Sequence, residues 1–154
     1  MNEVDQNDVH EPEPDPRRGW VLVRANWVVT AVLAVSLGLG LTAPRSLGVV
    51  AAFISIAMLL AGIVAFIYSF FVALDRSRTE EISTAGLYLL AEGAPAATRW
   101  NMIGAIVAQS AVAVTAALIE PTSALIFGVL APMLGLGIAG IWSAKHGVFR
   151  PRFR

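Results

Sequence analysis

The residues of this chain that could do chemistry are few, and their spacing builds no reacting centre. The two histidines, His10 and His146, lie far apart. Neither has the second histidine and the glutamate at helical spacing that a zinc-activated water needs. The chain has no cysteine, which removes thiolate catalysis, disulfides and cysteine metal sites. It has no glycine-rich phosphate loop and no GxSxG elbow. Asp75, Glu80, Glu81 and Glu92 share one connecting segment and read as solvated acids. Glu120 and Arg45 stand at the rims of apolar segments, where facing water is preferred to pairing with each other. Proton and ion pathways are usually marked by ionisable residues within apolar segments, and those segments hold none here. The expectation is a non-catalytic protein with no catalytic residue, cofactor or metal site.

The polar residues that remain must be positioned by four apolar stretches: 27–43, 47–74, 100–119 and 124–144. A helix needs about 20 apolar residues to cross a hydrocarbon core about 30 Å thick. The first stretch is short and can borrow residues 24–26, with Arg24 snorkelling outward. The second is long and should tilt or project into water. A soluble fold would have to bury four uncharged helices on all sides, for which a chain this small has too much surface. Helices satisfy their own backbone groups in lipid, and the runs lack the alternation of barrel strands. The expected fold is therefore all-α and polytopic. Two antiparallel hairpins in residues 20–144 follow an acidic, proline-rich tail, 1–19, expected to be disordered, and precede a basic tail, 145–154.

Charge sets the orientation. Arg17, Arg18 and Arg24 precede the first span, Arg76, Arg78 and Arg99 lie between the second and third, and Lys145, Arg150, Arg152 and Arg154 follow the fourth. The opposite side holds only Arg45. Basic residues in short loops stay cytoplasmic, so both termini are expected in the cytoplasm. Trp20, Trp27, Trp100 and Trp142 fall at the same ends and read as interface anchors. Lys145, Arg150, Arg152 and Arg154 are expected to meet lipid headgroups, with Phe149 and Phe153 dipping into the interface. Nucleic acid is not an expected partner. An acidic segment precedes the first span and Pro44 follows it, which argues against a cleaved signal there.

The connections are readable as well. Pro44, Arg45 and Ser46 form one tight turn, and residues 120–123 another. In segment 75–99, Ile82, Leu87, Tyr88, Leu89 and Leu90 suggest a short amphipathic helix in the headgroup region, ended by Gly93 and Pro95. Helices in lipid pack through small residues repeated every four positions. Such rows run through Gly38 in the first span, Ala61 and Ala65 in the second, Gln109 in the third, and Ala131, Gly135 and Ala139 in the fourth. Gln109 is expected to hydrogen-bond another helix. Pro132 should kink the fourth span.

Residues 87–95 (LYLLAEGAP) and 127–152 (FGVLAPMLGLGIAGIWSAKHGVFRPR) resemble a group of four-span actinobacterial membrane proteins without an assigned activity. The resemblance implies a bacterial plasma membrane, in keeping with the preference for arginine over lysine, and carries over no site residue. Two functions remain. One is a non-catalytic scaffold, accessory subunit or regulator that meets membrane lipids and a membrane protein partner or its own copies. The alternative is a small homo-oligomeric transporter or channel for a neutral or lipidic substrate. The small multidrug exporters share only the outline, since they use an acid within the first span and 27–43 has none.

Overall fold

A computed structural model describes residues 19–91 and 93–151. The acidic tail, His10, Arg17, Arg18, Glu92, Arg152, Phe153 and Arg154 lie outside the described residues. The chain forms α1 (Trp20–Thr42), α2 (Leu47–Arg76), β1 (Glu80–Glu81), α3 (Thr84–Tyr88), α4 (Ala96–Ile119), a 3-10 segment (Ala124–Leu130), α5 (Pro132–His146) and β2 (Arg150–Pro151). Four helical stretches are long and apolar enough to cross a membrane.

The helices start earlier than apolarity alone indicates. α1 runs for 23 residues from Trp20, about 35 Å at the usual rise, so Arg24 and Asn26 belong to its body. α4 begins at Ala96 because Pro95 supplies an extended residue ahead of it and cannot itself extend a helix backwards. α2 has 30 residues and is about 45 Å long, longer than any hydrocarbon core.

Two hairpins, α1 with α2 and α4 with the fourth span, lie side by side so that α1 meets α4 and α2 meets α5. Both cross-hairpin pairs are parallel. Asn26 reaches the Met102 carbonyl and Thr30 the Ala105 carbonyl, so depth rises together along α1 and α4. Along the other pair, Gly62 meets Met133 and Leu134, Gly137 meets Ala65, and Gly140 meets Ser69. One end of the bundle carries both short turns. The other, the basic end, carries α3 and the two-stranded antiparallel ladder, in which Glu80 faces Pro151 and Glu81 faces Arg150.

The fourth span differs from its expectation. Pro132 does not kink a continuous α-helix but starts a new one. The stretch before it is a seven-residue 3-10 helix, and Pro132 occupies the first turn of α5, where its missing N–H costs nothing. Ser123 caps the 3-10 segment by accepting from the Leu125 N–H at 3.3 Å.

The small-residue rows are corrected in part. α1 buries Val23, Asn26, Thr30, Leu33, Leu37 and Gly40, an alternation of three and four residues with a period of about 3.5. A row of strict fours drifts off that seam by about 40° per step. Gly38 is accordingly exposed, with open space where a side chain would begin, while Gly40 packs on Leu125 and Ala51. Ala61 is also exposed; its neighbour Gly62 is the contact residue. Ala65 is half-buried against Gly137, and Ala131 and Ala139 are fully buried. Gly62→Leu should therefore force α2 away from the α5 backbone and destabilise the bundle by about 1–3 kcal/mol. Gly38→Leu should change it by less than about 0.5 kcal/mol. Thermal unfolding of both variants in one detergent checks the contrast.

Candidate functional site

Two polar constructions stand out from the apolar bundle, one inside it and one at its basic end. The inner one joins α1 to α4. Asn26 and Gln109 are fully buried and Thr30 nearly so. The Gln109 amide Nε2 donates to Asn26 Oδ1 and to Thr30 Oγ1, each at 3.0 Å. Asn26 Nδ2 donates to the Met102 carbonyl at 3.3 Å, and Thr30 Oγ1 donates to the Asn26 carbonyl at 2.9 Å. Gln109 Oε1 has no hydrogen-bond partner. It faces Gly135 of α5, where a Cβ would lie 2.7 Å from it. The bare Gly135 Cα lets α5 close over the amide, and its C–H is the donor available to that oxygen, a weak contact of a kind common between closely packed helices. An amide, a second amide and a hydroxyl can hold helices in register. None of the three side chains titrates near neutral pH.

Gln109 was legible as a helix-bonding residue. Asn26 was not, because it was placed outside the first span. The signal that finds it is the alternation of three and four through Val23, Asn26, Thr30 and Leu33.

At the basic end, the segment after α2 folds down onto the bundle. A short helix, α3, forms in this segment as expected, but its apolar residues are not left for lipid. α3 has five residues, too few for an amphipathic stripe, and its apolar side chains turn into protein. Leu87, Tyr88 and Leu90 are buried, while Leu89 is exposed. The Tyr88 ring stacks on Phe66 with centroids 4.1 Å apart, and its hydroxyl donates to the Phe66 carbonyl at 3.2 Å. Ser143 Oγ donates to the Gly86 carbonyl at 2.8 Å. Gly93, at a positive φ of 74°, accepts from the Val148 N–H through its carbonyl at 3.0 Å. A side chain there would collide with the Val148 backbone.

Arg76 ties these pieces together. Its guanidinium donates to the Ala144 carbonyl at 2.8 Å, to the Gly147 carbonyl at 3.1 Å and to Glu80 Oε2 at 2.7 Å. It also lies over the Phe149 ring, 5.7 Å from the centroid. A guanidinium suits this place because it has several donors in one plane and favours the carbonyl end of a helix. Phe149, expected to dip into the interface, is instead buried in protein, and Arg150 is paired along the backbone with Glu81. Arg150 and Lys145 keep exposed side chains.

The tryptophans divide. Trp20, Trp27 and Trp100 are exposed, as anchors require. Arg24 lies over the Trp20 ring and Arg99 over the Trp100 ring, both 5.8 Å from the centroid. Lys145 Nζ lies 5.2 Å from the centroid of Tyr68. Trp142 is corrected from anchor to core. It is 1% exposed and packs with Val23, Met102 and Leu90, because the folded-down segment covers it. Gly19, at a positive φ of 74°, abuts its indole. The His146 ring is tilted against the Trp142 ring at 5.9 Å. No group of three or more His, Asp or Glu side chains is placed to hold a metal among the described residues.

No protein-family model, curated protein or solved structure matches this chain.

Two outcomes are expected. Gln109→Leu leaves Asn26 Oδ1 without its donor and should cost about 0.6–1.7 kcal/mol of stability in detergent, read by thermal or denaturant unfolding. Arg76→Ala removes the tie of the C-terminal stretch while leaving the spans intact. Hydrogen exchange should then speed up at residues 80–81 and 147–151 and stay unchanged at the Gln109 contacts; equal loss of protection in both regions would refute that separation.

Proposed function

We propose that this chain is a non-catalytic membrane component, an accessory or scaffold subunit that works through helix contacts and its ordered basic end. The observation that carries the reading is the character of the buried polar groups. Among the described residues these are Asn26, Thr30, Ser55, Ser69, Thr98, Gln109 and Ser143, all amides and hydroxyls suited to joining helices. Membrane pumps and membrane enzymes usually place an ionisable group in the interior.

Two further features fit a partner. Most of each span remains uncovered in the single chain, leaving wide apolar surface for lipid, a membrane protein or further copies of this chain. The basic end is held in a fixed shape by Arg76 and presents Asp75, Arg78, Glu81 and Arg150 outward, a surface of mixed charge of the kind that selects a partner by complementarity. In this reading the basic end faces the cytoplasm, since basic residues in short loops are retained there. The actinobacterial resemblance would make the membrane a bacterial plasma membrane.

One observation favours the second reading, passage of a lipidic substrate. A groove of about 400 Å³ runs between α1 and α2, lined by apolar side chains that include Ala31, Val32, Leu39, Val50 and Ile54, with Ser36 as its one polar member. It opens to lipid and could guide an acyl chain.

The two readings separate by reconstitution and by isolation from native membrane. The accessory reading expects no flux of glycerol and no flipping of a fluorescent phospholipid in vesicles, together with a stoichiometric membrane partner in native nanodiscs. A homo-oligomer that flips lipid would overturn it. Orientation has its own check. Ser123→Cys should react on whole cells with an impermeant maleimide and Ser77→Cys should not.

A further inference from the structure

The end of the bundle opposite Arg76 carries a feature that the accessory reading does not use. The two short turns border an open cavity of about 640 Å³, lined by Arg45, Ser46 and Val49 from one hairpin and Glu120, Thr122 and Ser123 from the other. Arg45 and Glu120 therefore border one space with opposite charge. They make no ion pair with each other.

The backbone carrying each charge is restricted. Pro44 precedes Arg45 and Pro121 follows Glu120, so each charge is attached to backbone that a proline ring restricts. Ser123 stiffens the second turn, donating to the Glu120 carbonyl at 2.9 Å and accepting from the Leu125 N–H. The first turn is closed by three N–H groups, of Ser46, Leu47 and Gly48, on the Ala43 carbonyl. Ser46 and Thr122 have exposed hydroxyls. The cavity thus offers a guanidinium and two exposed hydroxyls as donors, one carboxylate as acceptor, and apolar lining from Val49, Ala43 and Ala124.

We propose that this cavity binds a zwitterion made of a phosphate and a primary ammonium, the chemistry of phosphoethanolamine. The phosphate oxygens take the guanidinium and the hydroxyls, a charge-assisted arrangement that suits arginine. The ammonium, with its three N–H donors, takes Glu120. A trimethylammonium has no N–H to give the carboxylate and is held instead by aromatic faces; the lining has none. A phosphate without an ammonium leaves Glu120 facing a second negative charge. The selectivity order is phosphoethanolamine over phosphocholine and over phosphoglycerol. The same group can come from the headgroup of a membrane lipid or from a small solute.

The test uses the full chain in detergent. Binding is measured by native mass spectrometry for short-chain phosphatidylethanolamine, phosphatidylcholine and phosphatidylglycerol, with soluble phosphoethanolamine as competitor. The ethanolamine lipid should bind about tenfold more tightly than the other two, and Arg45→Gln or Glu120→Gln should each weaken it about tenfold, as the loss of one charge-assisted bond implies. Competition by phosphoethanolamine would identify the free zwitterion as sufficient. Ethanolamine-lipid binding that the solute does not displace would assign the site to the lipid headgroup. Equal binding of all three lipids by the unaltered chain overturns the proposal without recourse to a variant. So does a Glu120→Gln chain with unchanged melting temperature and unchanged selectivity.

Discussion

Everything else in this molecule depends on how closely α2 and α5 approach. In lipid no hydrophobic force pulls two helices together, because acyl chains are as apolar as the side chains they would replace. Association must come from contact and from hydrogen bonds. Here three glycines remove the side chains that would hold the helices apart. Gly62 rests on the Met133 and Leu134 backbone, Gly137 on the Gly62 carbonyl and Ala65, and Gly140 on Ser69 and Tyr88. The pair α1 and α4 solves the same problem with polar groups, since Asn26, Thr30 and Gln109 supply bonds where the interface has fewer glycines. The two solutions meet at Gly135, which belongs to α5 and lies against the Gln109 amide.

The four spans and the two tight turns were legible in the sequence because length and the absence of charge are local properties. The faces were less so. Rows of small residues every four positions located the partners of α4, where Ala105, Gln109 and Ala113 are all fully buried. They missed on α1 and α2, where the buried seam alternates threes and fours and leaves Gly38 and Ala61 in the open. A one-dimensional row drifts around a helix, and only the second half of the alternation corrects the drift. Trp142 shows a different limit. Its depth is right for an anchor, but whether an indole meets lipid or protein depends on a segment some fifty residues earlier in the chain folding over it, and nothing local to Trp142 encodes that.

The basic end follows from the same limit. Segment 75–99 has the composition of an interfacial helix, yet its apolar residues found protein before lipid. Leu90 takes a positive φ of 51° while fully buried, an uncommon conformation for a residue of its size. Its burial against Trp142 and Met102 offsets that cost. The site residues at this end, Arg76 above all, were visible as charges but not as ties. Their partners are main-chain carbonyls of α5 and of the stretch after it, and a sequence does not display where its carbonyls will be left open.

Ser55, Gly62, Ser69 and Arg76 stand seven residues apart on α2. Seven residues fall about 20° short of two full turns, so each member of the row lies on nearly the same face as the next. Gly62 and Ser69 give α5 small surfaces deep in the bundle, and Arg76 reaches Ala144 and Gly147 with a long cation. The rotational phase that seats α5 is therefore also the phase that aims the guanidinium. A single residue inserted between Ala73, the last buried residue of the seam, and Arg76 would turn the cation by about 100° and move it about 1.5 Å further along the helix axis, leaving the apolar contacts before it in place. Interior packing and the shape of the basic end are geared to each other through one stiff helix, in the way a shaft carries an angle from one of its ends to the other.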